Sequence, residues 1–284
     1  MNGKKISLGI SPCPNDTFMF YHLLHRSSWA EQRKIKLHMA DVEHLNQSCL
    51  KHELDFSKVS FHVLGKLRRD YCLLSAGSAL GRACGPLIVA RQKFTSLKGK
   101  TIAIPGMNTT ALLLLKCYAP DDIFIKEMIF SDIMPAVING EVDAGLIIHE
   151  SRFTYANFGL KLIADLGAWW EDYSSLPIPL GGIIASRKLP YGLIREFDAL
   201  LQESVRSMLR TDWQKSPELL EFIRSHSQEI EPEVLKAHIE TYVNEESVAL
   251  SDEGRRAVEK LFAVAEERGF IPPCELPLFS EELL

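Results

Sequence analysis

The chain has 284 residues, 46% of them hydrophobic, and its 32 Lys+Arg against 37 Asp+Glu give a formal net charge of −5. A chain of this length buries roughly three quarters of its unfolded surface and exceeds the usual single-core size, so two lobes are expected, without disulfide or metal staples. Mild acidity without a Lys/Arg cluster excludes an electrostatic footprint for nucleic acid or an anionic membrane, and no apolar run approaches the roughly 20 residues that span a bilayer, which leaves a small molecule as the expected partner.

From the first residues, short apolar runs alternate with amphipathic stretches, the pattern of an α/β protein with mostly parallel sheets. Residues 5–10 read as a strand, followed by the turn Ser11-Pro12-Cys13-Pro14-Asn15-Asp16 and a helix over 17–25, with Asp16 suited to its N-cap. The apolar run before Pro12 is too short for an export signal, so none is expected. Residues 36–42, 56–61 and 72–76 read as further strands, with a helix near 45–52. A Gly-rich patch over 77–85 leads into an apolar strand at 86–90.

The middle of the chain repeats this alternation. A polar connector at 96–100 precedes a strand at 101–104, and Pro105-Gly106-Met107-Asn108-Thr109-Thr110 turns into an apolar helix from Ala111. Residues 128–130 read as a strand, 133–138 as a helix that Gly140 ends, and 144–148 as a strand carrying His149 at its carboxyl end. Another strand is expected at 181–186, and beyond Pro190 the chain is helical to its end.

No further sheet is readable in that helical tail, so it is expected to pack back on the first lobe. This makes the first lobe discontinuous, 1–92 with 188–284, around an inserted second lobe at 93–187. The strands near 87–91 and 183–187 are then expected to cross between lobes as a hinge over a cleft. The six cysteines (Cys13, Cys49, Cys72, Cys84, Cys117 and Cys274) form no C-x-x-C pair, which argues for reduced core thiols and a cytoplasmic setting.

Ligands of open α/β sheets lie beyond the carboxyl ends of the strands. Four segments qualify: 11–17, 57–60, 106–110 and 149–151. The start of the 111 helix, with its exposed amides and two hydroxyls, suits a carboxylate or phosphate, although Thr109 equally suits a plain helix cap. His149 either accepts a proton near neutral pH or serves as a structural hydrogen-bonding residue. Lys58 beside Ser60 either neutralises an acidic ligand or is an ordinary solvated lysine, and Trp169-Trp170 either walls an aromatic ligand or locks the interlobe connection. No histidine pattern supplies a full ligand set, so no metal is expected. Nucleotide, P-loop and nucleophile-elbow motifs are absent. Nothing in the sequence speaks to oligomeric state.

Four segments together (11–18, 105–111, 139–150 and 176–181) resemble the 1,4-dihydroxy-6-naphthoate synthases of the futalosine route to menaquinone, and the likeness extends from about Ile6 into the C-terminal helices. The resemblance implies a two-lobed, periplasmic-binding-protein-like fold of the second type, used inside the cell as a cofactor-independent carbon–carbon lyase. It implies conversion of cyclic dehypoxanthine futalosine to 1,4-dihydroxy-6-naphthoate with release of a three-carbon fragment. By the same resemblance His149 is the base, Lys58, Val59 and Ser60 line the anionic substrate from the first lobe, and Thr109 and Thr110 bind it from the second. Asn15 and Asp16 match the opening motif, as substrate contacts or as shapers of the loop. Two rival readings are a non-catalytic organic-acid-binding protein and the sister enzyme chorismate dehydratase.

Overall fold

The computed structural model describes residues 5–119, 122–227 and 231–283. In chain order the first segment runs β1 (Ser7–Ile10), α1 (Pro14–His25), α2 (Trp29–Gln32), β2 (Lys36–Met39), α3 (Val42–Leu50), β3 (Phe56–Ser60), α4 (Phe61–Leu67), β4 (Tyr71–Leu73) and β5 (Ala79–Gly81). The middle holds β6 (Leu87–Ala90), β7 (Thr101–Ile104), α5 (Thr110–Tyr118), β8 (Phe124–Glu127), α6 (Phe130–Asn139), β9 (Ala144–Ile147), α7 (Ser151–Thr154), β10 (Lys161–Asp165) and α8 (Leu166–Ser174). The chain closes with β11 (Ile178–Ser186), α9 (Tyr191–Leu209), α10 (Pro217–His226), α11 (Pro232–Tyr242), α12 (Glu245–Val248) and α13 (Asp252–Glu267).

Two sheets result, one per lobe. The first has the order β2-β1-β3-β11-β4, with β5 also on β11, and the second β10-β6-β9-β7-β8. Both are mixed rather than mostly parallel: β1 pairs β2 and β3 in parallel, and β7 pairs β8 and β9 in parallel, but β11 runs antiparallel to its neighbours, as does β6. The reversals come from the strands nearest the crossings, which enter each sheet against the βαβ direction.

Strand pairing also relocates the expected hinge. Among the described residues, the 87–90 strand pairs in its ladder with β9 and β10, inside the second sheet, and β11 pairs with strands of the first. The chain therefore passes between sheets at 82–86 and again at 175–177. Arg152 pins the outgoing passage, donating to the Ala83 carbonyl at 2.7 Å, to that of Gly85 and to Asp165 at 3.2 Å. On the return passage Trp170, fully buried, donates from Nε1 to the Pro177 carbonyl at 3.2 Å, while Trp169 stacks on Tyr173; the tryptophan pair locks the connection.

Several boundaries shift for physical reasons. Strand 36–42 stops at Met39 because Asp41 caps α3, accepting from the amides of Glu43 (2.9 Å) and His44 (3.1 Å). The 72–76 strand leaves its ladder early because Asp198 captures the amides of Ser75 and Ala76 at 3.0 and 2.9 Å. No strand forms at 128–130, where Phe130 already starts α6; the strand here is β8, earlier in the chain, an edge strand exposed along its whole length that lacks the buried apolar run marking a strand in sequence. Gly140 does end α6, in the left-handed conformation at φ 77°. Phe197 of α9 stacks on Phe56 of β3 at 4.0 Å. No helix among the described residues is long and apolar enough to cross a membrane.

Candidate active site

A cavity of about 670 Å³, counting its open mouth, lies between the lobes at the carboxyl ends of β3, β7 and β9. It is lined by Asn15, Lys58, Val59, Ser60, Thr109, Thr110 and His149, so seven of the eight expected site residues converge from segments far apart in sequence. Asp16 is the exception, lying behind the wall at 0% exposure.

Asp16 does not cap α1. That helix starts at Pro14 with Cys13 in the N-cap position, and the Cys13 carbonyl accepts from the amides of Asp16 and Thr17, both at 3.1 Å. The Asp16 carboxylate turns back instead, accepting from the Ser11 amide (3.0 Å), the Ser11 hydroxyl (2.8 Å) and Asn15 Nδ2 (3.0 Å). Its remaining partner is Lys58 Nζ at 3.2 Å, an ion pair without an aligned hydrogen bond. The lysine is thus no solvated side chain: it is 6% exposed, held at the cavity wall, with donors still to fill. Ser60, two residues further along the same strand, is fixed by Asn46, which accepts from its amide (3.0 Å) and donates to its hydroxyl (3.2 Å). Opposite, Gly181 lets β11 approach, since a Cβ there would sit 2.5 Å from the Val59 carbonyl oxygen.

His149 follows β9 with a left-handed backbone, φ 55°, a conformation that costs a non-glycine residue about 1–3 kcal/mol and is found where surroundings enforce it. Phe130 packs edge-on against its ring at 5.0 Å, and Cys13 Sγ lies 3.4 Å from Nδ1. Burial, opposed by the Asp16 carboxylate and aided by the Lys58 ammonium, pulls the imidazole down to about 4. At neutral pH it is therefore an uncharged proton acceptor. Burial, reinforced by Glu150, pushes the Cys13 thiol well up, so the contact is thiol to imidazole rather than thiolate to imidazolium.

From the second lobe, Thr109 does cap α5: its hydroxyl accepts from the Leu112 amide (3.2 Å) and donates to the Gly106 carbonyl (2.9 Å). The Thr110 hydroxyl donates to the Leu180 carbonyl at 2.5 Å. Both hydroxyl protons are committed within the protein, which leaves the helix start itself, with its positive dipole end, as the feature facing an anion. The turn is clasped from the first lobe, because Glu43 of α3 accepts from the Asn108 amide (3.0 Å) and Nδ2 (2.7 Å), and Lys66 donates to Asn108 Oδ1 (2.9 Å).

Sequence reasoning missed the wall that α11 supplies. His238 and Tyr242, one helical turn apart, line the cavity beside the Cys84-Gly85-Pro86 passage. Tyr242 donates to the Cys84 carbonyl at 3.3 Å, and burial keeps its phenol protonated. His238 Nε2 lies 3.0 Å from Asn15 Oδ1, and its ring is nearly parallel to that of His149, with centroids 6.4 Å apart. The available signal was two polar side chains on the same helical face as buried Leu235 and Ile239.

Among the described residues, one group has metal-ligating composition: atoms of Cys13, His149 and Glu150 lie within 4.8 Å of one another.

A family model described as menaquinone biosynthesis matches residues 6–267. A Thermus thermophilus protein named 1,4-dihydroxy-6-naphthoate synthase is 46% identical over 274 residues, covering 96% of this chain and 98% of its own. A Streptomyces coelicolor protein of the same name is 40% identical over 278 residues, covering 96% of each. Among solved structures, a protein of Archaeoglobus fulgidus superposes with a TM-score of 0.87 at 35% identity, covering 95% of this chain and 100% of its own. The alkanesulfonate-binding protein of Xanthomonas axonopodis, at 15% identity, a TM-score of 0.67 and 94% of each chain, shares the fold.

Proposed function

The chain belongs to the menaquinone-biosynthesis family as an enzyme of the 1,4-dihydroxy-6-naphthoate synthase type, and from that premise we propose that it cleaves a carbon–carbon bond of cyclic dehypoxanthine futalosine, with His149 as general base. The observation that carries the reading is His149 itself: an uncharged imidazole in a left-handed turn at a strand end, on the wall of an interlobe cavity and close to a buried Lys58–Asp16 pair.

The chemistry follows from those groups. In this reading the His149 proton sits on Nδ1, 3.4 Å from the Cys13 sulfur, and Nε2, 4.0 Å from the same sulfur, is the accepting nitrogen. That nitrogen takes the proton of a hydroxyl in the sugar-derived part of the substrate. The oxygen's electrons form a carbonyl, the adjacent carbon–carbon bond breaks, and its electron pair is absorbed by the ring system. A three-carbon fragment leaves, and aromatisation of the new ring draws the sequence forward. The Lys58 ammonium and the start of α5 offer positive potential to the substrate carboxylate and to the developing alkoxide. Closure of the lobes excludes water. The six free cysteines suit a reducing compartment, and we place the enzyme in the cytoplasm.

The test is to incubate the protein and its His149→Ala variant with cyclic dehypoxanthine futalosine, following naphthoate by absorbance and mass. Naphthoate from the wild type, with kcat about 10²- to 10⁴-fold lower in the variant, is expected. Equal turnover by a folded variant would remove His149 as base. Tight binding without product would favour an organic-acid-binding protein, and neither binding nor product would direct the assay to chorismate.

A further inference from the structure

We infer that His238 is a substrate-positioning residue, whose Nδ1 accepts a hydrogen bond from a hydroxyl of the sugar-derived part of the substrate and so presents that part to His149. The inference rests on the proposed reaction and deepens it.

A chain of hydrogen bonds fixes the tautomer. Asp16 receives the Ser11 amide and hydroxyl and, on its other oxygen, Asn15 Nδ2 at 3.0 Å. With its amide nitrogen spent on Asp16, Asn15 turns its carbonyl oxygen to His238 Nε2 at 3.0 Å. An amide oxygen only accepts, so Nε2 carries the proton and Nδ1 of the neutral ring carries a lone pair. Burial, with the nearby His149 and Lys58, keeps the ring far below the ordinary histidine value and therefore neutral.

That lone pair is unmatched. His238 is 1% exposed and its Nδ1 is buried with no hydrogen-bond partner among the described residues, yet the ring borders the cavity. Buried acceptors without donors are rare in folded proteins, and one on a ligand cavity is most simply completed by the ligand. The chemistry specifies what completes it. A carboxylate offers no proton and would meet the lone pair with like charge, and a cation would face the Lys58 ammonium. A neutral hydroxyl satisfies both. The nearly parallel imidazoles, 6.4 Å apart by centroid, then flank that hydroxyl-bearing part of the substrate. His238 thereby supplies an open acceptor, whereas the Thr109 and Thr110 hydroxyl oxygens already accept from the Leu112 and His62 amides.

Two replacements separate this role from a structural one. His238→Gln can keep an amide donor toward Asn15 but loses the acceptor at Nδ1, whereas His238→Asn places an oxygen near Nδ1 and gives up the bond to Asn15. Both are made in the His149→Ala background, and binding of substrate and of 1,4-dihydroxy-6-naphthoate is measured by calorimetry. The product lacks the sugar-derived hydroxyls. Substrate affinity is expected to fall about ten-fold in His238→Gln and only about two-fold in His238→Asn, with product affinity unchanged in both. In the otherwise wild-type enzyme, His238→Gln raises KM about ten-fold with kcat within about three-fold. Equal weakening of substrate and product, or a larger loss in His238→Asn than in His238→Gln, would assign His238 to holding Asn15 and Asp16 and overturn the inference. Absence of naphthoate formation by the wild type would instead refute the proposed reaction.

Discussion

Replacing Glu43 with alanine should loosen the grip between the lobes and weaken substrate binding ten- to hundred-fold. Glu43 belongs to α3 of the first lobe, and its carboxylate takes two hydrogen bonds from Asn108 in the turn before α5 of the second, at 3.0 and 2.7 Å. Asn46 and Gln47 steady the same carboxylate at 3.2 and 2.9 Å, so it is poised for this contact. A hydrogen bond to a charged acceptor contributes about 1.5–3 kcal/mol when buried. Glu43 is only half-buried, and a discounted value of about 1–1.5 kcal/mol each gives roughly 2–3 kcal/mol across the lobes, about 30- to 150-fold on the ratio of closed to open forms. Because apparent affinity scales with the population of the competent form, most of that factor reaches KM if the free enzyme is largely open, and less if it is largely closed. Gly106→Ala attacks the same contact, since a Cβ there would lie 2.6 Å from Glu43 Cγ and Oε2. The two substitutions together should cost little more than either alone. Steady-state kinetics and small-angle scattering of the free enzyme are the assays. A folded Glu43→Ala variant with KM within two-fold of wild type and an unchanged radius of gyration would refute the reasoning.

Lys58→Met should destabilise the fold by about 3 kcal/mol, because it leaves the Asp16 carboxylate at 0% exposure without its counter-charge. Adding Asp16→Asn should restore much of the melting temperature but not the activity, and an unshifted melting temperature in the single variant would show that the pair contributes nothing to the fold. Acid should destabilise the protein partly through His62, which is 2% exposed and held by burial at about 4, below its ordinary 6.5. Between those values the unfolded chain binds a proton that the folded one does not, so stability falls as pH drops through the window, by at most about 3 kcal/mol from this residue. Urea unfolding at pH 7 and pH 4.5 should show a smaller difference for His62→Gln than for wild type, and equal differences would mean that His62 is not neutral in the fold.

Features carried by consecutive residues are legible in the sequence alone. Alternating apolar and amphipathic runs specify an α/β chain, a glycine after a periodic stretch specifies the end of α6, and apolar strands followed by polar turns mark Lys58, Ser60, Thr110 and His149 as candidates at strand ends, with a structural role equally open to each. These follow from local sterics, capping and burial, which a short window of sequence contains. The edge strand β8 and the three-residue strand β5 escape such a reading because their pairing, not their composition, makes them strands.

What brings the site together is different in kind. Cys13 meets His149 across 136 positions, and His238 meets Asn15 across 223. The sequence displays Asp16 as a helix cap and Thr109 as either cap or ligand. Only packing turns Asp16 toward Lys58 and commits the threonine hydroxyl to its helix. Likewise, only register assigns the 87–90 strand to the second sheet and β11 to the first. Local propensity acts over a few residues, whereas a hydrogen bond between distant segments depends on how whole layers stack. The elements of this protein are therefore readable from its sequence, but the cavity, its tautomers and its interlobe clasp are decided by the tertiary fold.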